Sequence, residues 1–271
     1  MKTLESSFSS LVGALSRLDC VRAIGKTGGA ALPTDGFSDI DLFVFCERLP
    51  THAERETLYR SLSGNCSVED YGEFEHPHWG LVDSLLLGEQ EVYPMFFSQD
   101  AFVDSIRSIL RGERTEREAN YFYPTGRCAS ILGMHPFYDP DAFLAKLKQV
   151  CEQYPDSLRN TMLSAMLPKL DDEEDFQRAI RRGDVLFFHS MLDLALDSFL
   201  QALFALNRVY FPSRKRSLEK VASFRIKPRD CEERLLRVVE MSDKPNTLSD
   251  AYDVWQQLCV ELIELSEVNR I

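Results

Sequence analysis

Two aspartates separated by one residue, Asp39 and Asp41, follow a glycine pair, Gly28 and Gly29, after an intervening loop. If the apolar residues around the aspartates form a strand, its two-residue period puts both carboxylates on one face. Neighbouring carboxylates repel each other, and Mg²⁺ relieves that repulsion while taking its other oxygens from phosphate and water. Because glycine has no Cβ, Gly28 and Gly29 can bring backbone N–H groups against a triphosphate. The pattern indicates a magnesium-dependent phosphate site.

A second phosphate-binding pattern lies immediately upstream, where Gly25-Lys26-Thr27 matches the end of a P-loop. A P-loop needs an earlier glycine five positions before that triplet, and Cys20 occupies the position. The P-loop interpretation is therefore excluded. Lys26 is expected to be a loop lysine in solvent, with a phosphate contact as the alternative.

The first half of the chain predicts an α/β arrangement with a mixed sheet. Its apolar runs are short, and its helical patterns alternate with them. A turn at Gly88-Glu89 separates two runs rich in Leu, Val, Tyr and Phe, which is typical of a hairpin. The predicted strands are 21–25 and 39–45, the predicted hairpin is 80–97, and the predicted helices are 52–62 and about 99–111.

Near residue 136 the pattern becomes helical almost throughout, which predicts a helical bundle. Asp139-Pro140-Asp141 offers an N-cap followed by proline at the first helical position. We therefore divide the chain into a catalytic domain, 1–135, and a helical substrate-binding domain, 136–271. The apolar C-terminal helix around Trp255 and Leu258 suggests a homodimer contact.

The glycine pair, the loop, the Ser38-Asp39-Ile40-Asp41 segment and the apolar strand after it resemble the nucleotidyltransferase superfamily, with its polymerase-beta-like fold. Thr27 stands where the signature has a hydrophobic residue, and Gly29 stands where many members have serine. The resemblance implies a nucleotidyltransferase core in which Gly28, Gly29 and Ser38 contact the nucleotide.

The resemblance also implies a third carboxylate from a neighbouring strand. Glu91, at the start of an apolar run after the hairpin turn, is the candidate, and Asp83 on the partner strand is the alternative. Asp39, Asp41 and Glu91 would then be both catalytic and metal-binding. Two Mg²⁺ ions could bridge the α-phosphate of ATP or another nucleoside triphosphate.

In the second half, 181–216 resembles the helical domain of nucleotidyltransferases related to those that modify aminoglycosides and lincosamides. The recognisable part is Leu-Asn-Arg-x-Tyr-Phe-Pro-x-x-Lys at 206–215. This resemblance implies a cleft with ATP on the sheet and the acceptor on the bundle. Lys215 could reach the triphosphate, or it could be a solvated residue at a helix end that the helix dipole favours.

Three polar residues, His189, Asp193 and Asp197, recur every four positions and form one helical stripe. The carboxylates could hold a cationic acceptor or act as a general base, or the stripe could be the wet side of an amphipathic helix. Asp184 is predicted to cap the same helix, with a substrate-facing acid as the alternative.

Composition limits the possible partners and compartment. A formal net charge of −12 disfavours general nucleic-acid binding. Seven scattered cysteines, none in C-x-x-C spacing, predict reduced thiols in the cytoplasm. No run is expected to span a membrane.

These observations predict a Mg²⁺-dependent nucleotidyltransferase that moves a nucleoside monophosphate, with AMP from ATP as the expected case. The expected acceptor is a hydroxyl of a small molecule, and an aminoglycoside- or lincosamide-like compound is one candidate. Two alternatives stay open. One is transfer to a protein or an RNA end, as in toxin–antitoxin systems, and the other is a non-catalytic module that binds a nucleotide or a partner.

Overall fold

A computed structural model describes residues 3–29, 31–33, 38–62, 64, 66–118 and 121–269. The chain divides into two units. Unit 1 comprises residues 1–107 and 127–153, and unit 2 comprises residues 108–126 and 154–271. The predicted boundary at residue 135 coincides with none of the three places where the chain passes from one unit to the other. The assignment of a catalytic role to one part and a substrate-binding role to the other stays a prediction.

Unit 1 is built on a mixed sheet, as the sequence predicts. Within the described residues the sheet has seven strands in the order β3-β5-β6-β2-β1-β7, with β4 beside β6. The β2–β6 pair is parallel and the other pairs are antiparallel. The strands are β1 (Val21–Lys26), β2 (Ile40–Cys46), β3 (Ser67–Asp70), β4 (Leu81–Val82), β5 (Ser84–Leu87), β6 (Gln90–Ser98) and β7 (His135–Tyr138).

The helices of unit 1 carry apolar residues that cover the sheet. Leu11 and Leu15 of the first helix belong to the same buried cluster as Leu42 and Val44 of β2. The helices are α1 (Leu4–Leu15), α2 (His52–Ser61), α3 (Gln99–Leu110), α4 (Pro124–Gly133) and α5 (Phe143–Glu152), of which α3 and α4 each pass from one unit into the other.

The segment after residue 134 departs from the predicted helical pattern. Residues 135–138 form β7, which pairs with β1. The predicted cap at Asp139 with Pro140 as the first helical residue is wrong, since α5 begins at Phe143. Asp139 still accepts hydrogen bonds from the N–H groups of Leu144 and Ala145, at 3.1 and 3.3 Å. The aspartate therefore satisfies helix N–H groups from outside the helix.

Unit 2 is helical, as the sequence predicts for most of the second half of the chain. Its helices are α6 (Asp156–Met166), α7 (Glu173–Arg182), α8 (Val185–Leu206), α9 (Ser217–Ala222), α10 (Cys231–Met241) and α11 (Leu248–Val268). Trp255 and Leu258 of α11 are fully buried, and the Trp255 indole donates to the Leu170 carbonyl at 2.9 Å. These two side chains belong to the core of the unit and are not available to a partner, and the homodimer stays a prediction.

Helix α8 is long and apolar enough to cross a membrane by length and composition. Half of its most apolar stretch is buried inside the structure. All seven cysteines are free thiols, and six of them are buried. The cytoplasmic location stays a prediction.

Candidate active site

The register of the parallel β2–β6 pair brings the predicted acidic residues to one place. Ile40 lies opposite Val92 and Asp41 lies opposite Tyr93. Continuing that register by one residue puts Asp39 level with Glu91. Since laterally paired residues of a sheet project from the same face, the three carboxylates share a face at the start of these two strands.

An aromatic layer covers the same face further along the strands. The rings of Phe43 and Phe97 are 5.0 Å apart, and Phe102 of α3 packs edge-on against Phe45 and Phe97 at 5.0 and 5.1 Å. Arg127 lies over the Phe102 ring, at 4.9 Å from its centroid. Close-packed rings of this kind hold the strands rigidly behind the acidic face.

Tyr93 holds the Glu91 carboxylate and lies near the charge of Asp39. Its hydroxyl donates a hydrogen bond to Oε2 of Glu91 at 3.1 Å. Burial raises the pKa of the Tyr93 hydroxyl, and the hydrogen bond and charge of Glu91 and the charge of Asp39 raise it further. The phenol therefore stays protonated and holds the otherwise exposed Glu91 side chain against β6.

Gln90 ties the chain before β2 to the start of β6. Its side-chain N–H₂ donates to the carbonyls of Ser38, at 2.7 Å, and Glu91, at 3.1 Å. Ser38 and Asp39 are both exposed at this point. Gln90 was not predicted from the sequence, because a glutamine beside a hairpin turn carries no local signal of a partner so distant in sequence.

Lys26 differs from its predicted position. It is the last residue of β1 and only 6% exposed, so the expectation of a solvated loop lysine is wrong. Its ammonium donates to the Thr27 carbonyl at 2.9 Å. Burial lowers the pKa of Lys26, and the charge of Asp41 opposes that shift. Because Lys26 pairs with Leu42, its side chain leaves the sheet on the face opposite Asp41.

The glycines of this segment are explained by geometry. A Cβ at Gly25 would overlap the side chain of Met134. Gly28 and Gly29 form the turn after β1 with φ of +73° and +87°, backbone angles that residues other than glycine rarely adopt. The N–H of Gly29 donates to the Gly133 carbonyl at 3.2 Å. One of the two N–H groups predicted to bind phosphate therefore already has a partner.

Replacing Gly29 with alanine is expected to lower the free energy of unfolding by about 1 to 2 kcal/mol, because alanine is strained at positive φ. Gly13 in α1 is the matched control, since a Cβ there meets nothing within 4 Å and its φ is not positive. Gly13→Ala should stabilise the protein by about 0.5 kcal/mol. Urea unfolding of both variants measures the difference, and equal effects would contradict the conformation assigned to Gly29.

Asp83, the alternative third carboxylate, lies in a different environment. It is fully buried and forms an ion pair with Arg55 of α2. It also accepts hydrogen bonds from the Tyr59 hydroxyl at 2.7 Å and from the Gly72 N–H at 3.0 Å. Its backbone N–H donates to the Pro94 carbonyl, so Asp83 lies beside Pro94 in the sheet. Pro94 follows Tyr93 and faces the other way from Tyr93 and Glu91, so the Asp83 side chain projects from the face opposite Glu91. The structure does not support Asp83 as a metal ligand.

The carboxylate set fits Mg²⁺ as an open site rather than as a closed cage. Across the described residues, no three His, Cys, Asp or Glu side chains are gathered as ligands of one ion. Asp39, Asp41 and Glu91 do not form a protein-only cage. Mg²⁺ commonly binds through one or two carboxylates together with substrate phosphates and water. The acidic face suits that open mode of binding, in which the nucleotide supplies the missing ligands.

The predicted acidic stripe of α8 is largely engaged within unit 2. Asp197 is 4% exposed and accepts from Arg117 at 2.8 Å and from the Tyr123 hydroxyl at 2.7 Å. Arg214 forms ion pairs with both Asp193 and Asp197. The burial of Asp197 contradicts the solvent-exposed interpretation, and a role toward a cationic acceptor or as a general base stays a prediction.

Two other predictions in unit 2 have different outcomes. The cap interpretation of Asp184 is confirmed, because its carboxylate accepts from the Phe187 N–H at 3.0 Å. His189 of the stripe lies 3.0 Å from the Ser242 carbonyl through Nε2. Lys215 is exposed, and its contact with a triphosphate stays a prediction.

Comparisons with known proteins add little to this geometry. A family described as a domain of unknown function, DUF4037, matches residues 124–216, less than half of the chain. The crystal structure of a nucleotidyltransferase-like protein from Exiguobacterium sibiricum is similar to the chain at 10% identity, with a TM-score of 0.48. That match covers 98% of this chain and 75% of the other. A search of the curated proteins found no match. At these values the likeness carries no argument about activity.

Proposed function

We propose that the protein is a Mg²⁺-dependent nucleotidyltransferase of the polymerase-beta-like superfamily, acting in the cytoplasm. The observation that carries the proposal is the parallel β2–β6 register, with Asp41 opposite Tyr93 and the start of each strand carrying an acid. The register brings Glu91 to the same face as the Asp39/Asp41 pair. A non-catalytic acidic strand end would not need this convergence from two strands.

The roles of the residues follow from their positions. Asp39 and Asp41 would hold Mg²⁺, and Glu91 would complete the acidic triad. When bound, Mg²⁺ neutralises the triphosphate and stabilises the charge that develops on the leaving pyrophosphate. Gln90 keeps Ser38 next to the start of β6 through its 2.7 Å hydrogen bond. The backbone N–H of Gly28, in a positive-φ turn, would approach phosphate without an intervening Cβ, whereas the N–H of Gly29 is bonded to the Gly133 carbonyl.

The proposed reaction transfers AMP from ATP to a hydroxyl group. The acceptor oxygen forms a bond to the α-phosphorus while the bond from that phosphorus to the bridging oxygen breaks, and pyrophosphate leaves. The hydroxyl proton passes to a carboxylate, for which Glu91 is suited because it is exposed and held by Tyr93. The proposed acceptor is a small molecule, since the net charge of −12 disfavours RNA.

A second candidate is a non-catalytic module that binds a nucleotide or a partner. Two observations favour it. The described residues gather no three metal-ligating side chains, and the Gly29 N–H is already bonded to Gly133. In such a module the acidic face would bind without turnover, so metal-dependent catalysis separates the two candidates.

Removing the metal gives the direct test. Titration calorimetry of ATP with the wild-type protein should show binding that weakens by about tenfold or more when EDTA replaces Mg²⁺, because the acidic face repels an unneutralised triphosphate. Pyrophosphate release should then appear with at least one member of a panel of hydroxylated amines. Mg²⁺-dependent binding without release for any acceptor class would favour the non-catalytic module. Binding that is equal with and without Mg²⁺ would contradict the proposed site.

A further inference from the structure

Unit 2 contains a cavity of about 630 Å³ that the proposed reaction does not use. Its walls come from α7, α8, the end of α6 and the segment around Arg117. The volume lies within the range of about 300 to 1,000 Å³ that is typical of small-molecule sites. Every residue that lines the cavity belongs to unit 2, so its shape is defined within that unit alone.

Gln201 is a buried polar group in the wall of this cavity. Its side chain is part of a residue only 3% exposed, and its amide oxygen has no hydrogen-bond partner in the described part of the chain. A buried acceptor without a donor is destabilising, and nearly all such groups in proteins are satisfied. Because the terminal amide rotates easily, the oxygen can turn toward a donor in the cavity. The missing donor points to a ligand with an N–H or O–H group.

The charges around the cavity favour a cation. Two of its carboxylates are already neutralised, because Arg117 pairs with Asp197 at 2.8 Å and Lys169 pairs with Glu116 at 2.6 Å. The remaining acidic residues are consecutive and exposed: Asp171, Asp172 and Glu173.

In the described part of the chain these three carboxylates have no cationic partner. Asp171 accepts from the Tyr252 hydroxyl at 2.9 Å, and Asp172 caps α7 by accepting from the Asp175 N–H at 3.2 Å. Both donors are neutral, so they leave the negative charge in place. The solvent-facing side of the cavity therefore carries an excess of three negative charges.

Between the acidic side and Gln201 the wall is apolar. Met166, Phe176 and Ala195 line the cavity and are each at most 3% exposed. Met191 and Leu194 of α8 extend this apolar wall. An aromatic or aliphatic body in the cavity would bury apolar surface here, which is the main source of affinity for a small ligand.

We infer that this cavity binds a small organic cation with an apolar body and a hydrogen-bond donor at the end opposite its ammonium group. The ammonium lies among Asp171, Asp172 and Glu173, the body packs on Met166 and Phe176, and the donor satisfies Gln201. This binding goes beyond the proposed nucleotide transfer and requires neither ATP nor Mg²⁺.

Tyramine is the probe, because it combines an ammonium, an aromatic ring and a phenolic donor. Isotope-labelled methionine methyl groups report binding by NMR, since Met166 and Met191 line the cavity whereas Met95 and Met134 lie in unit 1. Tyramine should shift the Met166 and Met191 signals saturably and leave the Met95 and Met134 signals unchanged. Phenethylamine, which lacks the hydroxyl, should bind about threefold to tenfold more weakly. Para-hydroxyphenylpropionate, which reverses the charge, should not bind measurably.

Variants of the cavity separate its two recognition elements. Glu173→Gln should weaken both amines about threefold, as expected for the loss of one exposed charge. Glu174→Gln is the matched control, because Glu174 is the next residue on α7 but does not line the cavity, and it should change nothing. Gln201→Leu should abolish the advantage of tyramine over phenethylamine.

Three results would overturn the inference: no saturable shift of Met166 and Met191, equal binding of the carboxylate analogue, or equal effects of Glu173→Gln and Glu174→Gln. The titration contains no nucleotide and reads signals of unit 2. Its failure therefore leaves the proposed transferase site untouched, and loss of catalysis in an Asp41 variant leaves this site untouched.

Discussion

Asp41→Asn is expected to lower pyrophosphate release by about a thousandfold, because a metal ligand contributes several kcal/mol to stabilising the charge of the transition state. Asp41 is half-buried in a strand whose other residues are buried, so its carboxylate is held in place by the fold. Asparagine keeps the shape of the side chain and removes only the charge. Steady-state assays at saturating Mg²⁺ and ATP measure the effect, and Asp39→Asn should behave in the same way.

Glu89→Gln is the control for this prediction, because Glu89 is an exposed acid in the hairpin turn two residues from Glu91. It removes one negative charge near the site without touching the shared acidic face, so its rate should stay within about twofold of the wild type. If Asp41→Asn kept more than about a tenth of the wild-type rate, a ligand role for Asp41 would be untenable.

Asp83→Asn is expected to lower the free energy of unfolding by about 3 to 5 kcal/mol, the usual cost of removing one partner of a buried ion pair. Arg55 is 3% exposed, and its Nε is buried without a hydrogen-bond partner in the described part of the chain. Neutralising Asp83 would leave the guanidinium buried without its counter-charge. Urea unfolding monitored on unit 1 measures the loss.

Arg60→Met is the control for the stability prediction. Arg60 pairs with Glu56 one turn away on α2, and its side chain is 75% exposed. Loss of this pair should cost less than about 0.5 kcal/mol. A loss below about 1 kcal/mol for Asp83→Asn would contradict the buried-pair assignment.

Asp83→Asn and a further variant, Glu91→Gln, separate the two candidate third carboxylates by their effects on turnover and on stability. Glu91→Gln should reduce turnover and leave stability nearly unchanged, since Glu91 is exposed. Asp83→Asn should reduce stability while the folded fraction keeps its turnover. The opposite pattern would mean that the third acid is Asp83.

Local sequence patterns predicted the elements that carry the site. The alternation of apolar residues around Asp39 and Asp41 predicted β2, and the Gly88-Glu89 turn predicted the hairpin that carries Glu91. The structure has these strands at Ile40–Cys46 and Gln90–Ser98. Such signals succeed because side-chain periodicity and turn chemistry depend on neighbours within a few residues.

The errors arose where a residue's environment depends on distant parts of the chain. Lys26 was predicted to be a loop lysine, yet it lies at the end of a strand between β2 and β7 and is buried. Its helical spacing puts Asp197 on the solvent-exposed face of an amphipathic helix, yet it is paired with Arg117, which lies 80 residues away in sequence. Side-chain periodicity within a short segment carries no information about partners so distant in sequence.

The sequence by itself determined that two aspartates share a strand face beside a glycine turn, because a period of two follows from strand geometry alone. Only the tertiary structure decided which of the two candidate acids, Glu91 or Asp83, lies on that face. The pairing of β2 with β6 puts Glu91 on the same sheet face as the two aspartates. On the opposite face, Arg55 and Tyr59 of α2 bind the Asp83 carboxylate. Strand pairing and helix packing depend on the whole core, so residue spacing cannot encode them locally.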